Sequence, residues 1–308
     1  MRGFQILLLA LLASLGAREC AALPETHPGD ILLPTLDGRV VLFHPEKGAW
    51  EDYASLGNYM FPTDIAREAS GDFLICDEYA STILRLNGST GTLSVVSQGN
   101  LVVAPTGLAV GPDGAIYESD AAYWILRIDP ATGDQTLLAE HGYVFDPVGV
   151  RLGPDGNLYV VDEPLGEALF RVDPLTGAQS LVTRRGFFWD MEELEFLQDG
   201  SILVSNWGPV STSLIHVDPS DGAQTEVASG INKFVPGLAR DPDGGVYLAA
   251  APDPYSTTLG TLLRYDGAGS VVTIADFPFG FRSLYVFPGN GPVRTTSDTW
   301  GHLKGLYR

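Results

Sequence analysis

The chain has 308 residues, 45% of them hydrophobic, with 36 glycines and 21 prolines, a size and turn content that fit one large all-β domain better than two ordinary ones. Its 38 acidic residues outnumber 18 basic ones for a formal charge of −20, so the phosphate backbone of a nucleic acid would be repelled. Two cysteines cannot build a disulfide framework, so such a domain must hold together by packing.

The first 22 residues read as a targeting segment. Arg2 supplies a positive start, Phe4–Leu15 is an apolar stretch too short to span a bilayer comfortably, and small residues follow at Ala17, Ala21 and Ala22. Cleavage after Ala22 is expected, giving a secreted or periplasmic protein without a membrane span and one domain over residues 23–308. Cys76 is then the one cysteine left, in a β-type run where a small buried hydrophobe is the ordinary role.

The stretch Leu101–Glu140 sets the pattern for the rest. Four short runs rich in Val, Ile, Leu and Tyr are separated by turns at Gly111-Pro-Asp-Gly114, Asp120–Tyr123 and Asp129-Pro-Ala-Thr-Gly133. Each run is too short for a helix, and Gly, Pro and Asp stand where the backbone must reverse, which predicts a four-stranded antiparallel meander. The glycine that ends the first turn recurs as Gly71, Gly114, Gly156, Gly200, Gly244 and Gly291, at steps of 42 to 47 residues. The second turn recurs in phase as Asn87–Gly91, Asp129–Gly133, Asp173–Gly177, Asp218–Gly222 and Asp266–Gly269. A period in the low forties with four strands per repeat is the signature of a β-propeller blade.

Repeats begin at Pro62, Pro105, Pro147, Met191, Pro236 and Phe281. Residues 30–56 align with 72–97 as the second to fourth strands of a further repeat, whose first strand is expected near Ala21–Thr26, and the repeat from Phe281 stops after its third strand. Seven angular positions result, the first and last incomplete. The expectation is seven blades, with six as the alternative if the N-terminal strands complete the C-terminal blade. The Gly-rich turns share one regular face, while the loops between blades and between second and third strands share the opposite, variable face, where a binding site is expected.

Two residue classes mark the variable face. Asp77, Asp120, Asp162, Asn206 and Asp298 stand at the ends of second strands, and Asp64, Asp146, Asp190, Glu192 and Glu193 lie in or beside the loops that lead into blades, with Glu78 and Glu163 nearby. Short polar side chains at strand ends ordinarily bond loop N–H groups; the other reading is an oxygen-ligand set. Aromatic residues crowd the same loops, among them Tyr123, Trp189, Trp207 and Trp300, and suggest a pocket with apolar walls. Where other blades carry Thr63, Thr106, Val148 or Pro236, two place charges, Glu192 and Arg282, which are expected to face the channel mouth as an ion pair or toward a polar ligand. Of the histidines, only His141 and His302 fall near this face.

The segments Pro105-Thr-Gly-Leu-Ala-Val-Gly-Pro-Asp-Gly-Ala-Ile-Tyr117 and Pro147-Val-Gly-Val-Arg-Leu-Gly-Pro-Asp-Gly-Asn-Leu-Tyr159, with the Asp-Pro-x-Thr-Gly turns, resemble the superfamily that joins NHL-repeat proteins, the senescence-marker-protein/gluconolactonase family and streptogramin-lyase-like propellers. That resemblance implies a propeller over nearly the whole mature chain and leaves hydrolase, lyase and binding scaffold all open. Gluconolactonase-like members hold a divalent cation, commonly calcium, on the channel axis with Glu, Asn and Asp side chains, which here would draw on Asp64, Asp162, Asn206, Asp298 and Glu192. The family's Asn-Gly or Asp-Gly pairs are replaced by Thr106-Gly107, Val148-Gly149 and Pro236-Gly237. Streptogramin-lyase-like enzymes use His and Glu in late blades, and Tyr247–Ala251 contains neither. The expected function is an exported scaffold binding a small molecule or protein partner on the variable face, no cofactor required, with Glu192, Arg282, Trp189, Trp207, Tyr123 and Trp300 as binding residues. The alternatives are a calcium-dependent lactonase or esterase and, second, a lyase.

Overall fold

A computed structural model describes residues 23–163 and 167–288. Its strands form six four-stranded antiparallel sheets around a central channel. Five are simple meanders with innermost strands Pro62–Arg67, Pro105–Val110, Pro147–Leu152, Met191–Phe196 and Phe234–Arg240 (blades 2 to 6). Blade 1 is assembled from both ends of the chain. Ile31–Pro34, Arg39–His44 and Ala49–Ser55 supply its outer three strands, and Tyr285–Val286 pairs inside them, with Ile31 opposite Val286 and Leu32 opposite Tyr285. A bridge between Thr35 and Phe281 extends the seam.

The count is therefore six blades, and the expectation of seven is corrected: the two incomplete repeats share one sheet. Residues 23–28 carry no strand, so the one expected near Ala21–Thr26 is replaced by the distant Tyr285–Val286. The second and third strands expected after Phe281 fall in residues 289–308, outside the described residues, as does the 1–22 targeting segment.

Packing follows from blades stacking on both sides. The second strands Phe73–Asp77, Ile116–Asp120 and Leu158–Asp162 are buried at every residue, whereas an outermost strand such as Leu93–Gln98 buries only Ser97. Blade 1 packs Ile31, Leu33, Val41 and Phe43 against Tyr247, Ala249 and Leu262 of blade 6 on one side, and Leu32, Val40 and Leu42 against Ile65, Phe73 and Ile75 of blade 2 on the other. The ring is thus closed by apolar contact on both flanks. The Asp-Pro-x-Thr-Gly turns explain their own spacing. Asp129 accepts from the N–H groups of Ala131 and Thr132, and Gly133 takes a positive φ of 75° so tightly against the Val96 carbonyl that a Cβ would collide with it.

Each of these innermost strands slips register near its start, between Pro62 and Asp64, Pro105 and Gly107, Pro147 and Val150, Met191 and Glu193, and Phe234 and Gly237. A bulge re-aims the side chain it carries, and in blade 5 that residue is Glu192.

One buried group conflicts with its surroundings. Glu118 lies opposite Leu108 and Leu126, fully buried, and neither carboxyl oxygen has a hydrogen-bond partner among the described residues. Burial, reinforced by the neighbouring Asp120 charge, pushes its pKa well above the usual 4.5. A group raised in the folded state favours folding fully below its unfolded pKa and loses that contribution as pH rises. Glu118→Leu is therefore expected to stabilise the protein by about 1–3 kcal/mol at pH 7. The gain should shrink toward pH 4.5 in calorimetric scans, and an unchanged or lower Tm at pH 7 would count against this account.

Candidate functional site at the channel mouth

The residues at the ends of second strands brace the loops between blades. Asp77 accepts from Phe61 and Ala80 N–H at 2.9 Å each, Asp120 from Val103, Ala104 and Ala122, Asp162 Oδ2 from Phe145 at 2.7 Å and Asp146 at 3.0 Å, and Asn206 Oδ1 from Trp189 at 2.7 Å. Asn206 also donates through Nδ2 to the Phe187 carbonyl at 3.1 Å. These contacts repeat from blade to blade because they hold scaffold. Asp162 keeps one buried oxygen, Oδ1, without a partner among the described residues, and burial raises its pKa to about 7.

Asp64 is committed elsewhere. Its carboxylate receives Arg151 Nη1 at 2.8 Å, Ser283 Oγ at 2.7 Å and the N–H groups of Ile65 and Leu108 at 2.8 Å, while Arg151 Nη2 reaches Glu193 at 2.8 Å. Blades 1 to 5 thereby meet in one ionic plug across the channel. Burial opposes the charge on Arg151, but Asp64, Glu193 and Glu195 more than offset it and keep it protonated. With its oxygens filled by these donors, Asp64 is poorly placed to ligate a cation.

Above the plug, the structure gathers a different set. Carboxyl oxygens of Glu163, Asp190 and Glu192 all lie within 4.8 Å of one another. Glu192 stands on the bulge that opens the blade 5 inner strand, Asp190 immediately precedes it, and Glu163 follows the blade 4 bracing residue Asp162. Burial and the charges of Glu192 and Asp190 push Glu163 upward; burial, Asp190 and Glu193 do the same to Glu192, with Arg282 pulling the other way. Asp146, raised by burial and Asp190, and Glu78, raised by burial, extend the acidic ring.

Arg282 is the cation at this mouth. Its Nη2 donates to the Pro254 carbonyl at 2.6 Å and its guanidinium lies 4.6 Å from the centre of the Phe61 ring, with no carboxylate close enough for a direct ion pair among the described residues. Burial opposes its charge, while the nearby Glu192 and Glu78 favour it. Beside it a cavity of about 550 Å³ is lined by Met60, Phe61, Tyr79, Pro254 and Tyr255. Tyr79 stacks flat on Phe61, ring centres 3.9 Å apart, and remains 76% exposed.

The aromatic residues singled out by sequence occupy the same rim with unequal freedom. Trp189 and Tyr123 are 60% and 57% exposed, and Tyr123 holds a positive φ of 82° while leaning on Phe145. Trp207 packs edge-on against Phe234 and is the more structural of the three. Trp300, Asp298 and His302 lie outside the described residues. His141 is solvent-exposed, and Cys76 is buried beside Thr63 Oγ1 at 3.1 Å, as a small strand hydrophobe would be.

The sequence reading names Glu163 and Asp190 only among the acidic loop residues and not among the site residues. A usable signal was present: the Asp-Glu pairs Asp77-Glu78 and Asp162-Glu163 set a second carboxyl one residue past the bracing one, where alternation turns it to the other side.

The set is one that a hard divalent cation would accept. Calcium binds carboxylate oxygens at about 2.3–2.6 Å, so ligands on opposite sides of it stand up to about 5 Å apart, which the 4.8 Å spread allows; magnesium needs a tighter cage.

Comparison with solved structures places the chain among propellers of the kind its repeats resemble. It matches a chain of a nidogen/laminin complex with a TM-score of 0.68 at 13% identity, covering 84% of this chain and 98% of that one. It matches a gluconolactonase from Xanthomonas campestris at 0.61 and 16%, covering 87% and 95%, and a streptogramin B lyase at 0.56 and 13%, covering 82% and 84%. At these identities the likeness is one of fold. No protein-family model and no curated protein sequence matches the chain. No helix among the described residues is long and apolar enough to cross a membrane.

Proposed function

We propose that the variable face binds a small, oxygen-rich ligand through a calcium-class cation held by Glu163, Asp190 and Glu192, in an exported protein. The observation that carries this reading is the convergence of three carboxyls from two blades on one point of the mouth, beside a lone guanidinium and an aromatic-walled cavity. Without a cation between them the three repel one another, and burial with that repulsion favours the protonated forms of Glu163 and Glu192. A cation would displace those protons and let the three oxygens serve as ligands, while Arg282 orients an anionic group of the ligand and Tyr79 and Phe61 cover an apolar one. Removal of the 1–22 segment, checked by N-terminal sequencing of protein recovered outside the cytoplasm, tests the export component.

A second reading, hydrolysis of a lactone or ester, is favoured by the tuning of the neighbouring carboxyls. Burial raises Asp162 to about 7, so this group can exchange a proton near neutral pH, and burial raises the neighbouring Asp146 as well.

Calcium titration by calorimetry distinguishes these outcomes. Because binding must displace protons, affinity is expected to rise between pH 6 and 8 by up to about tenfold per pH unit for each proton displaced, and Glu192→Gln and Glu163→Gln to weaken it at least about tenfold. No heat and no shift in Tm with calcium or chelator would overturn the cation-centred reading. Turnover of a lactone and ester panel that chelator abolishes would select the hydrolase.

A further inference from the structure

Below the ionic plug, the channel continues as a separate blind pocket of about 560 Å³ that opens on the regular face between the turns at Gly71 and Gly114. Its space has a simple origin. At one position of the inner strands, blades 2, 3 and 6 carry only Ala66, Ala109 and Ala239, and Leu108, Leu238 and Leu284 line the walls around them. A cavity of this size with mostly apolar walls and few polar groups is the ordinary form of a small-molecule site.

Two guanidinium groups line it, Arg151, which the plug holds, and Arg67. Among the described residues Arg39, Arg85, Arg127, Arg151 and Arg264 each pair with a carboxylate, whereas Arg67, with Arg171 and Arg282 among others, pairs with none, in a chain where acidic residues outnumber basic ones by 38 to 18. The nearby Glu68 is taken by Arg85 at 2.6 and 2.8 Å. Among the described residues the Arg67 side chain instead makes one long hydrogen bond, Nη1 to the Tyr285 hydroxyl at 3.3 Å, and its buried Nε has no acceptor. Three rings, Phe73, Tyr285 and Phe287, surround its guanidinium at 5.7 to 5.8 Å and fix its orientation. A half-buried, preoriented guanidinium without a carboxylate partner is an anion receptor.

We propose that this lower channel binds a small monocarboxylic acid with an apolar body, the carboxylate on Arg67 and Tyr285 and the body along the alanine and leucine walls. One guanidinium compensates one negative charge. Glu195 deeper in the pocket and the overall charge of −20 disfavour a phosphate or dicarboxylate. The site lies on the face opposite the acidic mouth, with the plug between them, and does not depend on the cation-centred reading.

Octanoate and its neutral isostere octanamide, titrated calorimetrically into the full chain, test the proposal. Octanoate should bind at least about tenfold more tightly than octanamide, and Arg67→Met should remove that preference. Ala66→Leu fills the pocket without touching the guanidinium and should abolish binding of both, so it decides the matter if the Arg67 variant does not fold. Glu192→Gln should leave octanoate binding unchanged. Equal binding of octanoate and octanamide, unchanged binding to Ala66→Leu, or no binding of octanoate at millimolar concentration overturns the proposal.

Discussion

A chain that ends at Gly280 is expected to lose its cooperative thermal transition. The lost segment supplies the innermost strand of blade 1 and buries Phe281, Leu284, Val286 and Phe287, each at most 8% exposed. At about 1.5–3 kcal/mol for each large apolar side chain, the four together contribute about 6–12 kcal/mol, comparable to the whole stability of an ordinary domain. The loss also strands Ile31 and Leu32, whose backbone groups pair with Val286 and Tyr285, as an open sheet edge inside the channel. Scanning calorimetry of the truncated chain should show a broad or absent transition and dye binding typical of exposed apolar surface. The full-length double variant Phe281→Ala/Leu284→Ala should move in the same direction. A sharp transition near the native Tm would mean that the seam does not close the ring.

Arg151→Met should cost about 3–5 kcal/mol, since it removes the cation from a buried group and leaves Asp64 and Glu193 facing each other. For a domain of this size that is a fall in Tm of roughly 10 °C. Burial already holds Glu193 at about 8, against the pull of Arg151. With a folded pKa above the usual 4.5, this group's contribution is fully present below pH 4.5 and fades as pH rises through about 8. Removing Arg151 raises it further, so the gap between wild type and variant should stay nearly constant up to about pH 7 and widen as pH rises through about 8. Adding Glu193→Gln should recover part of the loss, a coupling that a double-mutant cycle measures. A gap independent of pH, with additive single changes, would show that the plug is not an ionic unit.

The plug shows why the candidate site was only partly legible. Asp64 and Glu193 are separated by more than a hundred residues and looked like two more acids of the variable face. Nothing in the local pattern tells that Arg151, inside an otherwise ordinary Pro147–Leu152 strand, reaches across the channel to both. Asp162 and Asn206 were legible as bracing residues because the same turn recurs with the same side-chain type, and a scaffold role repeats. Glu192 and Arg282 were legible as departures from the repeat. Their relation was not: Arg282 settles on Phe61 and the Pro254 carbonyl, while Glu192 joins Glu163 and Asp190.

What the sequence by itself determined is the blade. Strand length, turn chemistry and a period in the low forties are local properties, written once in every repeat, so they survive without knowledge of any distant contact. The number of blades and the identity of the site belonged to the tertiary structure. Two incomplete repeats at opposite ends of a chain count as two in sequence and as one in space, because Tyr285–Val286 can pair with Ile31–Leu32 only when the ring has curled round to bring them together. The same closure places side chains from several blades within a few ångströms of one axis, making an acidic mouth above Arg151 and an apolar pocket below it from residues that no periodicity links.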